Sequence, residues 1–296
     1  MAVESIGLGR FVERGIDEQQ NWLDPAAKQL QQWLQQALQQ GGPGGRQVKD
    51  FLNGVWLGHP LHVALSDAPI GGWVTGAVLD LVGAERGADA AFTFGVLAAL
   101  PTAAAGLADW VDQADMPRRM GLVHATINSA ALGCFVGSLL ARGSGNRGLG
   151  IRLSTTGLAL ATVGAYLGGE LVYREGTNVD RNAWNPPTEG WLVAARAADL
   201  PEGQLARGEI EVDGQKLPLV LLKQGHSILA LGGVCSHMGG PLPEGKLVDD
   251  ECVQCPWHGS TFDMRDGRVV QGPSAYPQPV YEARQRDGNV EVRQVG

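Results

Sequence analysis

Two short, similar stretches in the last third of the chain decide its fold: C-S-H-M-G-G at 235–240 and C-P-W-H-G-S at 255–260. Each stretch contributes one thiol and one imidazole, in the combined pattern C-x-H-x17-C-x2-H. One type of [2Fe-2S] cluster has two cysteines on one iron and two histidines on the other. The pattern therefore predicts a [2Fe-2S] site and electron transfer. The predicted ligands are Cys235, His237, Cys255 and His258.

A zinc site is the main alternative, because two cysteines and two histidines also form a common tetrahedral zinc-binding set. The usual finger, however, has C-x2-C followed by two histidines on a helix, and that spacing is absent here. Glycines at 239, 240 and 259 flank the ligands, where the lack of a Cβ lets backbone amides approach a cluster. The spacing favours the iron-sulfur interpretation.

The segment from about Trp191 to Val295 resembles a Rieske domain, and specifically the small Rieske-type ferredoxins. The resemblance is carried by C-S-H-M-G-G-P-L-P-E-G, C-P-W-H-G-S-T-F-D-M-R-D-G and G-P-S-A-Y-P, in that order along the chain. It implies an all-β domain, a [2Fe-2S] cluster and electron transfer through the histidine-ligated iron. It also implies that four further residues lie close to the cluster: Gly240, Trp257, Ser260 and Pro273.

The sequence departs from the Rieske proteins of respiratory complexes at informative positions. Those proteins carry one more cysteine in each ligand loop, and the two form a disulfide; the matching residues here are Gly240 and Trp257. Their serine and tyrosine hydrogen-bond donors to the cluster match Ser260 and Phe262, so one donor is kept and one is lost. Fewer donors stabilise the reduced cluster less, and we expect a potential near the low end of roughly −150 to +300 mV.

The first two thirds of the chain have a different composition. The apolar residues of this 296-residue, 44% hydrophobic chain are concentrated between about Val63 and Tyr173. A membrane-spanning helix needs about 20 mainly apolar residues, and abundant Gly, Ala, Ser and Thr favour close helix packing in lipid. A soluble Ala/Gly-rich helical bundle is the alternative. The four predicted spans are 63–83, 90–108, 120–141 and 153–169.

The sequence thus predicts an α + β protein of two domains, an N-terminal four-helix transmembrane bundle followed by a C-terminal all-β domain. Asp24-Pro25 is predicted to start a helix, and G-G-P-G-G at 41–45 to break one; Asn185-Pro186-Pro187 indicates a linker. No internal repeat is predicted. The predicted boundaries are an amphipathic helical region at 1–56, a four-span membrane domain at 57–173, a linker at 174–189 and the Rieske domain at 190–296.

The charged residues of the chain indicate its binding partners and its cellular compartment. The net charge of −8 argues against nucleic-acid binding, and the segment 1–20 lacks the basic stretch and apolar run of a signal peptide. Six arginines and lysines flank the spans on the side of both termini, against four on the opposite side. We therefore expect a multi-pass protein of the plasma (inner) membrane with its Rieske domain in the cytoplasm.

Several ionisable residues lie in or near the predicted spans, where such groups usually face partners or a cavity. With H-P-L-H at 59–62 and A-G-L-A-D-W at 105–110, the segment 57–173 resembles a family of small predicted four-span membrane proteins without an assigned function. These groups are interpreted as a structural hydrogen-bond network, as a haem b site using His62 and His124 (or His59), or as a quinone pocket. The residues concerned are His59, His62, Asp67, Asp109 and His124.

The leading functional prediction is a membrane-anchored one-electron carrier whose partners are a redox protein or a quinone, besides membrane lipid. The alternatives are a component that supplies electrons to a separate oxygenase and a redox sensor. The short segment after His258 contains no histidine for the two-histidine, one-carboxylate iron site of an oxygenase. An electron-transfer component is therefore favoured over a self-contained oxidoreductase. The sequence does not predict the donor, the acceptor or the oligomeric state.

Overall fold

A computed structural model of the chain describes residues 7–295 and divides them into two compact units. The first unit runs through Val48 and then from Leu61 to Thr177; the second contains Lys49–Pro60 and the chain from Asn178 onward. The first six residues, on which the expected absence of a signal peptide partly rests, lie outside the described residues.

The described residues before Thr177 form seven α-helices, and the third of them crosses the boundary between the units at Lys49. Each of the four predicted spans overlaps one of the last four helices, so the N-terminal region is helical as predicted. The helices are α1 (Leu8–Asp17), α2 (Gln20–Gln40), α3 (Gly42–Asn53), α4 (Leu61–Leu81), α5 (Glu85–Trp110), α6 (Asp115–Gly143) and α7 (Arg147–Tyr173).

Small residues let helices α4 to α7 approach one another closely around an aromatic core. The rings of Trp73 and Phe135 stack with centroids 4.4 Å apart and an interplanar angle of 14°. A Cβ at Gly95 would lie 2.5 Å from Cδ1 of Trp73, so only glycine fits there without movement. Among the described helices, α5 and α6 are long and apolar enough to cross a membrane, judged by length and composition.

A network of charges with a buried ion pair at its centre, Asp80 and Arg142, lies at the ends of α4 and α6. The Arg142 guanidinium, of which 2% is exposed, donates to the two carboxylate oxygens of Asp80 at 2.8 and 2.5 Å and to Asp89 at 3.0 Å. Arg147 donates to the same Asp80 carboxylate at 2.8 Å. Because buried charges are costly unless they are paired, this network couples all four helices at one end of the bundle.

The N-terminal helices differ from the prediction. Helix α2 begins at Gln20 and contains Pro25, so the predicted helix start at Asp24 is wrong. The Asp24 carboxylate is instead paired with Arg118 at 3.1 Å and Arg119 at 3.3 Å, and therefore it does not cap a helix. The glycine-rich stretch breaks the chain only at its start, since α3 begins at Gly42, whose φ is +54°.

The second unit contains the all-β domain that the sequence predicts. Its strands form a six-stranded antiparallel sheet in the order β1-β10-β9-β4-β3-β2 and a four-stranded antiparallel sheet in the order β5-β6-β7-β8. The strands are β1 (Leu192–Arg196), β2 (Leu205–Val212), β3 (Gln215–Gln224), β4 (Ser227–Gly232), β5 (Lys246–Val248), β6 (Cys252–Gln254), β7 (Thr261–Asp263), β8 (Val269–Gln271), β9 (Val280–Arg286) and β10 (Asn289–Gln294).

Two segments outside the predicted Rieske domain also belong to this second unit. In the stretch predicted as a linker, Arg181 donates its amide to the carbonyl of Ser236 at 3.2 Å, and the carbonyl of Asn178 accepts from the Tyr276 hydroxyl at 3.1 Å. From the end of α3, the Asp50 carboxylate accepts the amide N–H of Gly272 at 3.0 Å. The boundaries therefore differ from those expected, because polar residues that suit a solvated tether instead bond to loops of the domain.

The Asp80→Ala substitution is expected to destabilise the helical unit by about 3 kcal/mol, at the lower end of the cost of breaking a buried ion pair. It leaves the buried Arg142 guanidinium with Asp89 as its remaining carboxylate. Unfolding of the full chain in detergent, followed by circular dichroism, measures the effect. The matched control is Asp67→Ala, on an exposed residue of the same helix; equal stability of the two variants would contradict the importance of the network.

Candidate metal centre

The two predicted ligand stretches fold as matching turns of the β-domain. The first follows β4, and the second connects β6 to β7. In each turn the cysteine amide donates to a carbonyl five residues later, from Cys235 to Gly240 and from Cys255 to Ser260, both at 2.8 Å. These hydrogen bonds close each turn and hold the intervening histidine on the same loop as its cysteine.

A glycine with a positive φ makes each turn feasible. Gly239 has φ +81° and Gly259 has φ +79°, in the left-handed region that favours glycine. Each donates its amide to the carbonyl of the cysteine four residues earlier, at 2.9 Å and 3.2 Å respectively. This additional hydrogen bond fixes the loop backbone around the thiol.

The four candidate ligands are brought together, and most of them are buried. Both thiols are buried and hydrogen-bonded to each other. The His237 and His258 rings meet edge to face with centroids 5.1 Å apart. His237 is 6% exposed, and its Nδ1 has no hydrogen-bond partner among residues 7–295. A buried nitrogen without a partner is costly, and coordination to a metal would satisfy it.

The protonation states suit metal binding. Burial lowers the pKa of His237 to about 3, helped by the positive potential of His258, Lys49 and Arg181, so the imidazole is neutral and has a lone pair at physiological pH. The hydrogen bond between the thiols lowers the pKa of Cys255 to about 6 and raises that of Cys235. Cys255 therefore presents a thiolate near neutrality, and thiolates are the form that binds iron.

The donor set fits a two-iron cluster better than a single metal ion. Within the described part of the chain, no group of three or more His, Cys, Asp or Glu side chains is placed to hold one ion. A [2Fe-2S] cluster divides two thiolates and two imidazoles between two irons. The paired thiols, the adjacent imidazoles and the unpartnered Nδ1 of His237 agree with that division.

Gly240 and Trp257 lie together beside the ligands. A Cβ on Gly240 would be 2.7 Å from Sγ of Cys255 and 3.1 Å from the Trp257 ring, so a side chain at this position would collide with a candidate ligand. The Trp257 side chain is 56% exposed, and its ring lies 6.4 Å from that of His258. The Trp257 ring therefore packs against Gly240 while more than half of the residue stays exposed.

Ser260, Phe262 and Pro273 are buried close to the ligand turns. Oγ of Ser260 accepts the amide N–H of Ser274 at 3.0 Å, which leaves the hydroxyl proton of Ser260 to donate elsewhere. Phe262 is fully buried in the same apolar cluster as Cys235 and Cys255, and it has no polar group to offer. Ser260 is thus able to donate to a bound cluster, whereas Phe262 is not.

A polar network behind the first turn was not predicted from the sequence. Oγ of Ser236 lies 2.8 Å from Oγ of Ser274 and donates to the carbonyl of Tyr276 at 2.9 Å. With its amide in the orientation that satisfies both ends, Gln278 accepts the Ser236 N–H at 2.7 Å and donates to Val234 at 3.0 Å. Ser236 and Ser274 lie inside the motifs C-S-H-M-G-G and G-P-S-A-Y-P, and their position in these motifs is the sequence signal for the network.

The polar residues singled out in the N-terminal region lie elsewhere. His62 and His124 are half-buried in α4 and α6, Asp67 is exposed on α4, and Asp109 is buried near the end of α5. His59 is exposed and belongs to the second unit rather than to the helical unit. The five therefore do not form one site.

Comparisons with known proteins agree with these two units. Residues 190–282 match the family described as Rieske [2Fe-2S] domain, and residues 58–181 match the family described as predicted membrane protein (DUF2231). The anthranilate 1,2-dioxygenase ferredoxin subunit of Burkholderia cepacia is 41% identical over 81 residues, which are 27% of this chain and 73% of that protein. The chain therefore belongs to the Rieske [2Fe-2S] family, and its Rieske domain is fused to a predicted membrane domain.

Two further matches carry a ferredoxin in their description. The 3-phenylpropionate/cinnamic acid dioxygenase ferredoxin subunit of Escherichia coli K12 is 29% identical over 99 residues, covering 33% of this chain and 89% of that protein. A solved complex of reduced oxygenase and oxidized ferredoxin in carbazole 1,9a-dioxygenase contains a chain that is 29% identical, with 36% and 96% covered and a TM-score of 0.32. The protein is thus an electron carrier that uses a [2Fe-2S] cluster.

Hydrogen bonding to the cluster is tested by two substitutions with opposite expected effects. Ser260→Ala removes a donor and should lower the redox potential, whereas Phe262→Tyr restores a hydroxyl and should raise it. One hydrogen bond of about 1 kcal/mol corresponds to roughly 40 mV for one electron. Potentiometric titration followed by EPR measures both. Ser227→Ala, on an exposed serine of β4, is the control; shifts of the same sign in both variants would refute this account.

Proposed function

We propose that the protein is a membrane-anchored one-electron carrier that exchanges electrons with a separate redox protein at the His237/His258 edge. When bound, a [2Fe-2S] cluster accepts and releases a single electron. The observation that supports the proposal is the increase in solvent exposure from the candidate cysteine ligands to the candidate histidine ligands. Both cysteines and His237 are buried, His258 is half-buried, and the neighbouring Trp257 is mostly exposed. The route from the ligands to solvent therefore passes through His258 and Trp257.

The proposed acceptor is a separate oxygenase component. This is supported by the similarity of the Rieske domain to ferredoxin subunits of dioxygenases, at 41% and 29% identity. An exposed tryptophan beside the exit histidine provides an apolar docking contact, and tryptophan is enriched among residues that dominate protein interfaces. A quinone as partner and a redox sensor are the competing functions, and reoxidation kinetics separate them.

Four membrane spans are proposed for α4 to α7. Beyond α5 and α6, the other two helices also expose large apolar side chains, which are unfavourable in water and favourable in lipid. Exposed apolar residues occur on every one of the four helices, whereas the Asp80 and Arg142 side chains are buried between them. The exposed side chains include Val74, Val78 and Leu81 on α4, Phe94, Leu97 and Leu100 on α5, Val136 and Leu140 on α6, and Leu149, Ile151 and Val163 on α7.

We further propose that the Rieske domain faces the cytoplasm at the plasma (inner) membrane. The excess of basic residues on the side of both termini, six against four, supports this orientation. All four cysteines are free thiols, including Cys134 and Cys252, which agrees with a reducing compartment.

The docking surface is tested by Trp257→Ala. We expect the second-order rate of electron transfer to a dioxygenase oxygenase component to fall roughly tenfold, the equivalent of about 1.4 kcal/mol of lost contact energy. Stopped-flow mixing of dithionite-reduced protein with the oxygenase, a quinone or a cytochrome measures the rate. Trp184→Ala is the matched control, since Trp184 is also exposed in the same unit, at 76%. Equal rates for the two variants would exclude docking at Trp257.

Topology is tested by reporter fusions to the full chain and to its first loop. Green fluorescent protein at the C-terminus should fluoresce, and alkaline phosphatase at the same site should be inactive. Alkaline phosphatase fused after Gly83, in the loop between α4 and α5, should be active because that loop lies on the opposite side. The reverse pattern would overturn the orientation, and recovery of the intact protein in a carbonate-washed soluble fraction would overturn the spans.

A further inference from the structure

The helical unit contains an internal repeat that was not predicted from the sequence. Helix α4 ends at Leu81 and α6 ends at Gly143, whereas α5 begins at Glu85 and α7 begins at Arg147. The two helix ends are separated by the same number of residues as the two helix starts, and this separation is the repeat interval. The hairpin of α4 and α5 is therefore repeated as the hairpin of α6 and α7. Identical residues at this interval include His62 and His124, Gly71 and Gly133, Gly95 and Gly157, and Gly106 and Gly168.

Equivalent residues of α4 and α6 meet across the bundle. Trp73 and Phe135, which are separated by the same interval, form the aromatic stack with centroids 4.4 Å apart. Asp80 and Arg142 are also equivalent, and they form the buried salt bridge. In two layers of the bundle, therefore, a residue of the first hairpin contacts the equivalent residue of the second hairpin.

His62 and His124 are a third equivalent pair, near the opposite end of the bundle from the salt bridge. His62 precedes Trp73 by about three helical turns, and so it lies on the same face of α4. His124 has the same relation to Phe135. The two imidazoles are close enough to interact electrostatically. The repeat therefore places both histidines at corresponding positions of α4 and α6, as it does for the other two pairs.

Both imidazoles are held in the same tautomer. Nδ1 of His62 lies 2.9 Å from the carbonyl of Thr102, and Nδ1 of His124 lies 2.9 Å from the carbonyl of Gly164, the equivalent residue of the next hairpin. A backbone carbonyl only accepts hydrogen bonds, so each Nδ1 carries the proton and each Nε2 keeps its lone pair. Metal-binding histidines usually have this arrangement, with the second ring nitrogen donating to a carbonyl or carboxylate.

Equivalent glycines make room for the two rings. A Cβ on Gly106 would lie 2.9 Å from Cε1 and Nδ1 of His62, and a Cβ on Gly168 would lie 3.2 Å from Cε1 of His124. The Asn128 amide nitrogen donates to the His124 carbonyl at 2.9 Å and lies almost equally far from both nitrogens of the His124 ring, 3.4 Å from Nδ1 and 3.3 Å from Nε2. The position equivalent to Asn128 is Ser66, so this contact is not part of the repeated arrangement.

We propose that Nε2 of His62 and Nε2 of His124 are the two axial ligands of a b-type haem bound in the bundle. Two neutral imidazoles alone are a poor site for a bare ion, and no third His, Cys, Asp or Glu completes a metal-binding group among residues 7–295. A haem iron already has four equatorial nitrogen ligands and requires only two more. Histidines on facing helices of a bundle are a common way to supply them.

This site goes beyond the proposed function, because it gives the chain a second one-electron centre that is independent of the Rieske ligands. It also selects among the interpretations of the polar residues in the N-terminal region. Asp67 is exposed and His59 belongs to the other unit, so neither takes part. The two competing interpretations, a quinone pocket and a purely structural pair of histidines, both predict that the chain binds no haem.

The test uses the full chain, purified in detergent from cells supplied with a haem precursor. We expect one haem per chain by the pyridine haemochromogen assay and a low-spin bis-imidazole spectrum in the visible and by EPR. In hemin titrations, His62→Ala and His124→Ala should each weaken binding by about 100-fold. His59→Ala is the matched control and should bind hemin as the wild type does.

Circular dichroism of the same samples shows whether the helical unit of each variant still folds, and the Rieske EPR signal shows whether the β-domain does. Where His62→Ala fails to accumulate, His62→Gly with added imidazole is the second variant, and restoration of the low-spin spectrum supports ligation. A wild-type protein that takes up no stoichiometric haem, or variants whose haem spectrum is unchanged, would overturn the proposal. Such a result leaves the Rieske signal intact, so it is distinct from failure of the electron-carrier function.

Discussion

The hydrogen bond from each candidate ligand cysteine to a carbonyl five residues later is the constraint on which the candidate cluster site depends. At 2.8 Å in both turns, this bond forces the chain to reverse around the thiol and places a histidine two or three positions along. The reversal requires the left-handed backbone of Gly239 and Gly259. Because the two turns are nearly alike, two thiols and two imidazoles assemble from only two short stretches, at 235–240 and 255–260.

The surroundings of these turns come from distant parts of the sequence. Ser236 is held by groups from the loop at 274–278, while Asn182 donates to the carbonyl of Val234 at 3.0 Å. Lys49 adds positive potential at His237 although it precedes that residue by most of the chain. A positive charge near the ligands favours the reduced state of a bound cluster, so residues far from the motifs help to set its potential.

The β-domain and the assembly of the four candidate ligands could be predicted because metal binding requires particular residue types at short, fixed spacing. The contributions of Lys49, Asp50 and Asn182 could not be predicted. A polar residue in a glycine-rich or proline-rich segment is as favourable in solvent as it is in contact with a neighbouring loop. The proline after Asp24 predicts a helix cap there, yet the Asp24 carboxylate pairs with Arg118 and Arg119 instead. The helical repeat could not be predicted from the sequence because most equivalent positions differ, as Trp73 and Phe135 do, although those two residues pack against each other.

The salt bridge between Asp80 and Arg142 has a consequence for how this bundle can be assembled. These residues occupy the same position of the two hairpins, yet they carry opposite charges. Two identical hairpins associating as separate chains would bring aspartate against aspartate, or arginine against arginine, in an environment of low polarity. Opposite signs at one position therefore require two non-identical halves, and joining them in a single polypeptide ensures that each always meets its complement.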